Sequence, residues 1–199
     1  MPESRIIRRR SPDLDAMATA MGEFLRAAGF DAEGDEHLGR TSERVAEAWV
    51  GDLLEGYGVS PAQALGEPFA EDSQDMVLVK DIEFFSSCPH HLMPYQGRAH
   101  IAYIPNGKAI GFSGVVRLLD CLAHRLTLQE WLTRDLVSTL DEVLEPLGAG
   151  CIIQATPMCV FARGVRRPCR IASTSFSGLF AEDPALRRDL ILASGVEGS

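Results

Sequence analysis

A nine-residue stretch, Ser86-Ser87-Cys88-Pro89-His90-His91-Leu92-Met93-Pro94, interrupts two runs of strand-forming sequence. Between Cys88 and Pro94 it packs one thiol, two imidazoles and two prolines. Proline fixes φ and has no amide to donate, so the segment must be a turn, not the interior of a strand or helix. The run before it, residues 76–85 (Met-Val-Leu-Val-Lys-Asp-Ile-Glu-Phe-Phe), reads as a strand. So does the imperfectly alternating 97–104, which closes on the turn signal Pro105-Asn106-Gly107. The expectation is two antiparallel strands joined through a loop rich in ligand atoms.

Cys88 and His91 are three apart, a spacing at which a turn points both at one ion. A second thiol, Cys159, sits far along the chain in Ala155-Thr156-Pro157-Met158-Cys159-Val160. Thiolate with neutral imidazole is a zinc-type donor set. Two local ligands and one distant one make three, which leaves a position for water that the metal can activate. His90, beside a ligand, is then a candidate acid/base. A plainer reading makes Cys88 and Cys159 core thiols and the histidines turn residues. A lone Cys-x-x-His does not choose between them.

The remaining chain supplies helices on either side. Apolar residues at Leu14, Met17, Met21, Phe24, Leu25 and Ala28 have a helical period, with Gly29 as a stop. Thr41 or Ser42 is placed to cap a second helix with Val45, Ala46, Trp49, Leu53 and Leu54 on one face, ending near Gly56. Residues 57–75, with Pro61, Pro68, Gly58 and Gly66, read as a long connection. Ser113 is placed to cap a helix over 114–125. Thr127-Leu128-Gln129-Glu130 has capping-box spacing and is expected to start a longer helix to about Leu147, stopped by Gly148 and Gly150. Residues 151–161 and 171–180 read as strands, and Asp183-Pro184 opens a final helix. The order is two helices, then ββααββ, then a helix, an α+β chain.

With 199 residues and 46% of them hydrophobic, the chain can bury a substantial core. Residues 1–75 are expected to form an N-terminal arm and helices, and 76–199 a catalytic domain. A net charge of −9 argues against a nucleic-acid or anionic-membrane binder, and the basic cluster from Arg5 to Arg10 reads as a solvated arm within an unstructured stretch, 1–11. No apolar run reaches the length of a membrane span, and the basic N-terminus precedes no signal-peptide core. Five cysteines at these spacings form no disulfide framework, so a reducing cytoplasm is the expected location.

Several motifs, in order, resemble the GTP cyclohydrolase I family. The family's Cys-Glu-His-His stands here as Cys88-Pro89-His90-His91. Its Tyr-Ile-Pro and Gly-Leu-Ser-Lys stand as Tyr103-Ile104-Pro105 and Gly111-Phe112-Ser113-Gly114. Its Gln-Glu-Arg-Leu is Gln129-Glu130-Trp131-Leu132. Met158-Cys159, Arg163-Gly164 and Gly178-Leu179-Phe180-Ala181-Glu182-Asp183-Pro184 complete the series, and the likeness spans residues 38–192.

That resemblance implies the tunnelling fold, in which ββααββ units assemble side by side into a ring, a decamer in this family, with active sites between subunits. It implies zinc on Cys88, His91 and Cys159, and water activated there attacking C8 of a guanine nucleotide. Ring opening, loss of formate and closure of a pterin follow. His90 matches the acid/base histidine. Ser113 and Arg117 match positions serving triphosphate and ribose, and Arg163 and Arg44 match phosphate-side arginines. Gln129 and Glu130 match the guanine-reading pair, since a carboxylate accepts from guanine N1–H and its 2-amino group.

Each also has a plainer reading. Glu130 is the fourth residue of the capping box, and Ser113 an ordinary N-cap, although a helix N-terminus favours phosphate. Arg117 is a solvated helix charge. Arg163, with Arg166, Arg167 and Arg170, is a basic surface run. Four positions depart from the family. Pro157 replaces a histidine two before the second Cys ligand, a second acid/base group. Gly114 replaces a lysine, Glu47 a basic residue three after Arg44, and Pro89 a glutamate. The zinc ligands, His90 and the guanine readers are kept, while triphosphate contacts and one proton relay are lost. Two alternatives to the full reaction follow: an enzyme that stops at a formamidopyrimidine or takes a less phosphorylated guanine compound, and a catalytically dead, zinc-stabilised assembly protein.

Overall fold

In the computed structural model of the chain, the residues described are 7, 9–32 and 34–195. Those of the expected N-terminal arm at 1–6 and 8 lie outside them. Arg9 is not a solvated charge. It donates to the Leu54 carbonyl at 2.7 Å and lies over the Tyr57 ring, which Arg125 also faces.

The first helix, α1 (Leu14–Ala27), is capped by Asp13, whose carboxylate accepts from the Ala16 amide at 3.0 Å. It packs on α2 (Thr41–Ala48), which runs on into a wider π-type turn (Trp49–Leu53). Neither Thr41 nor Ser42 caps α2. Thr41 is its first residue, and its hydroxyl donates to the His37 carbonyl. The stretch expected as a connection is structured. A 3-10 turn (Glu55–Gly58) leads to α3 (Pro61–Leu65), held by a capping box between Ser60 and Gln63 with Pro61 first. Then β1 (Phe69–Glu71) pairs with β4 (Gly107–Ala109).

The main sheet is antiparallel, in the order β2-β3-β5-β6. Its strands are β2 (Val77–Ser87), β3 (Pro94–Ile104), β5 (Gly148–Pro157) and β6 (Ile171–Phe176). Two helices cross between the halves: α4 (Phe112–Ala123) and α5 (Gln129–Leu144). This is the ββααββ order of the tunnelling fold, with helices ahead of it. Leu118, Leu119, Leu132, Leu136 and Leu140 of the two helices bury against Ile101, Tyr103, Cys151 and Ile153 of the sheet. On the opposite face Ala102, Ile104 and Ile152 meet Phe180 of α7 (Gly178–Glu182) and Leu190 of α8 (Pro184–Ser194). Alternate residues of β3 thus face two different cores, and its second half is buried throughout.

Several expected boundaries move, for local reasons. Gly111, not Ser113, is the N-cap of α4, and Ser113 is its exposed second residue. Leu128, not Thr127, precedes α5, and no side chain caps that helix. Thr127 is used elsewhere: its amide donates to the Ser87 carbonyl and its hydroxyl to that of Leu128. The end of α5 is Leu144, three residues early, because Glu145 turns left-handed (φ 48°) ahead of Pro146. The expected stops Gly148 and Gly150 lie instead in β5. That strand ends at Pro157, which has no amide to continue a ladder. A helical turn, α6 (Met158–Phe161), replaces the rest of the expected strand. Likewise β6 ends at Phe176, and Gly178, with φ 48°, starts α7. Among the described residues, no helix is long and apolar enough to cross a membrane.

Candidate metal centre and active site

The turn at 88–93 is pinched by its own backbone. The Cys88 amide donates to the Met93 carbonyl at 3.0 Å and the Leu92 amide to the Cys88 carbonyl at 2.9 Å, with Leu92 left-handed (φ 52°). This closure sets Cys88 and His91 side by side between β2 and β3. The sheet register does the rest. Tyr95 at the start of β3 is opposite Pro157 at the end of β5. The chain leaving Pro157 therefore curls over the same loop and delivers Cys159 on α6. The donor atoms of Cys88, His91 and Cys159 all lie within 4.8 Å of one another.

Cys88 is buried, Cys159 half-buried and His91 exposed, so the cluster opens to solvent on one side. Burial first, and Cys88 second, push the Cys159 thiol above its ordinary range, while Arg163 acts the other way. Two adjacent thiols cannot readily both ionise without a cation between them. Soft sulfur with imidazole is the donor set that suits zinc. His90 stands on the exposed rim, its ring 6.3 Å from and perpendicular to that of His91.

Beneath the turn Tyr95 is buried edge-on to Phe84 and donates to the Thr127 carbonyl at 3.3 Å. Burial, with smaller pushes from Cys88 and Glu130, holds its phenol well above the ordinary range. Glu130 is exposed, one residue into α5. With no capping box, its carboxylate is available to a ligand. Gln129 is different: it is 8% exposed, and its amide nitrogen meets the Ile153 carbonyl at 3.0 Å, the Ile171 carbonyl at 2.9 Å and Ser173 Oγ at 3.1 Å.

The residues that the resemblance assigns to the phosphate side are scattered. Arg163 lies exposed in the segment after α6, close enough to act on Cys159. Arg117 donates through Nε to the Ala64 carbonyl at 3.0 Å and lines a separate cavity of about 300 Å³ with Glu55, Asp120 and His124. Arg44 and Glu47 are exposed on α2, which packs on α1. Within one chain the fold therefore gathers Cys88, His91, Cys159, His90 and Arg163, while Arg44 stands on α2 and Ser113 and Arg117 on α4. A larger concavity, about 920 Å³, lies on the polar half of the face that carries Ala102 and Ile152, around Glu83, Arg98, His100 and Arg170. It holds none of the three donors, so the chemistry belongs to the smaller cluster.

Sequence reasoning missed three features: the tyrosine under the turn, the acceptors around Gln129, and a His124–Glu55 contact of 2.8 Å with His124 stacked on Phe85. Each joins residues far apart in the chain, and no local pattern marks them.

Comparison with known proteins places these residues in a family. The model described as GTP cyclohydrolase I matches residues 17–194. The GTP cyclohydrolase 1 of Chromobacterium violaceum is 38% identical over 182 residues, 91% of this chain and 88% of that protein. That of Deinococcus radiodurans is 41% identical over 179 residues, 89% of this chain and 81% of its own. That of Bacteroides thetaiotaomicron is 41% identical over 172 residues, 85% and 87% respectively.

Proposed function

The chain belongs to the GTP cyclohydrolase I family, and on that premise we propose that it opens the guanine ring of GTP at C8, with Cys88, His91 and Cys159 as the residues that would hold a zinc ion. The products are formate and 7,8-dihydroneopterin triphosphate. The observation that carries this reading is the convergence of three zinc-type donors from two distant segments onto one solvent-facing point. Zinc bound there supplies Lewis-acid activation of water for attack on carbon. Among the described residues three protein donors gather, which is the ligand count of a catalytic site rather than a closed structural one.

The chain's own residues supply the rest. His90, on the rim beside the ligands, takes and returns protons at the guanine imidazole ring. Glu130 accepts from guanine N1–H and the 2-amino group. Arg163 faces the phosphate side. Ser113 and Arg117 serve the ribose and triphosphate, which requires Arg117 to exchange the Ala64 carbonyl for substrate oxygens. Arg44 comes from a neighbouring copy. β2 and β6 are the outer strands of the sheet, and apart from the bridge of Ser87 to Leu126 their outer edges have no ladder partner among the described residues; they suit side-by-side pairing of copies into a ring, a decamer by family likeness, with sites completed across subunits. The enzyme works in the cytoplasm, whose reducing state keeps the ligand thiols free.

A second reading rests on Pro157. At the end of β5, two residues before Cys159, it offers no proton where the family has an imidazole. In this reading the first ring opening proceeds and the later hydrolysis stalls at a formamidopyrimidine. Incubation with GTP, with and without a zinc chelator, tests both: zinc-dependent formate and fluorescent pterin support the first, and ring-opened nucleotide without formate the second.

A further inference from the structure

Gln129 Nε2 has two hydrogens and three acceptors around it: the carbonyls of Ile153 and Ile171, and Ser173 Oγ. Two carbonyls at one end of a carboxamide fix that end as the nitrogen. The bonds form a closed circuit. Thr133 Oγ1 donates to the Gln129 backbone carbonyl at 2.7 Å, so its single proton is used. Ser173 Oγ, 2.6 Å from Thr133 Oγ1, must then donate to it, and accepts from Gln129 Nε2 in turn. Every donor on these three side chains is committed. The residue is buried, and the donors it spends cannot also serve a guanine ring.

The positions of the acceptors give the circuit its meaning. Ile153 lies in β5 just before the chain departs toward Cys159, and Ile171 is where it returns as β6. The last ladder pair is Ala155 with Ile171. The excursion between them, 156–170, carries Cys159 and Arg163. One carboxamide therefore ties both ends of that excursion to the first residue of α5, next to Glu130.

We infer that Gln129 is a positioning residue, a clamp that fixes the Cys159-bearing excursion relative to Glu130, and that guanine is read by the Glu130 side chain without it. The inference deepens the reading of the site given above and rests on it for two of its three tests. Gln129→Met keeps length and burial but removes both donors. Ser173→Ala removes one acceptor and folds more safely.

The test uses the full chain. In metal-free protein, backbone hydrogen exchange in Gln129→Met should rise over 154–171 and in the first turn of α5, and stay unchanged in β2 and β3. Ser173→Ala should show a smaller rise in the same segment. Zinc affinity, measured by competition with a chromophoric chelator, should fall about tenfold or more in Gln129→Met, as for other residues that orient a ligand. The ratio of kcat/KM for GTP over ITP, which lacks the 2-amino group, should be unchanged in Gln129→Met but fall about tenfold or more in Glu130→Gln. General destabilisation would not confine exchange to one segment, nor weaken zinc binding well below the melting temperature. A GTP/ITP ratio that falls in Gln129→Met as it does in Glu130→Gln would overturn the inference. So would unchanged exchange over 154–171 in both variants. If the wild type neither binds zinc nor turns over GTP, the reading of the site fails, and the exchange experiment still decides the clamp.

Discussion

Gly114 in the first turn of α4 sits directly under the carbonyl oxygen of Leu65, the last residue of α3, and a Cβ on Gly114 would overlap that oxygen. Arg117, one turn on, donates to the carbonyl of the preceding residue, Ala64. The end of α3 thus occupies space above two positions that serve phosphate in the family. The packing leaves no room for a side chain at 114. Gly114→Lys should therefore fail to improve the KM for GTP. It should cost about 1–3 kcal/mol of stability, the usual range for overpacking, seen as a lower unfolding midpoint. A tighter KM at unchanged stability would show that α3 moves aside freely.

Glu47 should repel the triphosphate from α2 of a neighbouring copy. Glu47→Lys should tighten GTP binding and leave guanosine unchanged, with GMP between them, and the gain should shrink at high salt. Calorimetry across the three ligands measures this. Equal effects on guanosine and GTP would place residue 47 away from the phosphates.

Cys159 should be needed for the metal. Wild type should carry about one zinc per subunit, and Cys159→Ala should lose it on dialysis, as three ligands are the fewest that hold catalytic zinc. Metal analysis after dialysis decides. Full retention in the variant would remove Cys159 from the site.

His100 gives the fold a pH dependence. It is buried, and its Nδ1 accepts from the Asp81 amide at 3.3 Å, at a bulge where Asp81 is left-handed (φ 58°). Burial holds its imidazole below the ordinary value of 6.5, opposed by Asp81 and reinforced by Lys80 and Arg98. The unfolded chain takes up the proton first. This contribution to stability is complete above the unfolded value and is lost as pH falls through the lowered folded one. Between about pH 7.5 and 5.5 the urea midpoint of wild type should fall more than that of His100→Gln. Parallel curves would contradict it. Burial raises the carboxyls of Asp120, Asp135 and Asp141, which act in the opposite sense, so the comparison with the variant isolates the histidine.

Ligand chemistry alone left Cys88, His91 and Cys159 open between a metal site and core thiols; the ordered family motifs pointed to one cluster, and the three donors do converge. The ββααββ order was legible from apolar runs between turn signals. The caps of α4 and α5 were not: Ser113 has the right chemistry two residues too late and Thr127 one residue too early, and a backbone bond to Ser87 of β2 holds Thr127 where it is. For α3 the signal was present, since Ser60-Pro61-Ala62-Gln63 is a capping box, but the surrounding prolines and glycines read as a connection. The end of β5 followed from Pro157, whose missing amide matters only once its partner Tyr95 is known. Gln129 reads as half of a guanine-reading pair because Gln129-Glu130 matches the family's Gln-Glu motif. The carbonyls of Ile153 and Ile171 around its amide are what point to the positioning role proposed above.

The fate of C8 is the most direct test of the proposed function. GTP labelled with carbon-13 at C8 would be incubated with the zinc-loaded protein and followed by NMR, with pterin fluorescence recorded alongside. The expected result is that the label leaves as formate, one for each fluorescent pterin formed, and that zinc removal abolishes both. Label retained in the formyl group of a ring-opened nucleotide, or left in intact GTP, would contradict it. In the first of these cases Pro157→His should release the label.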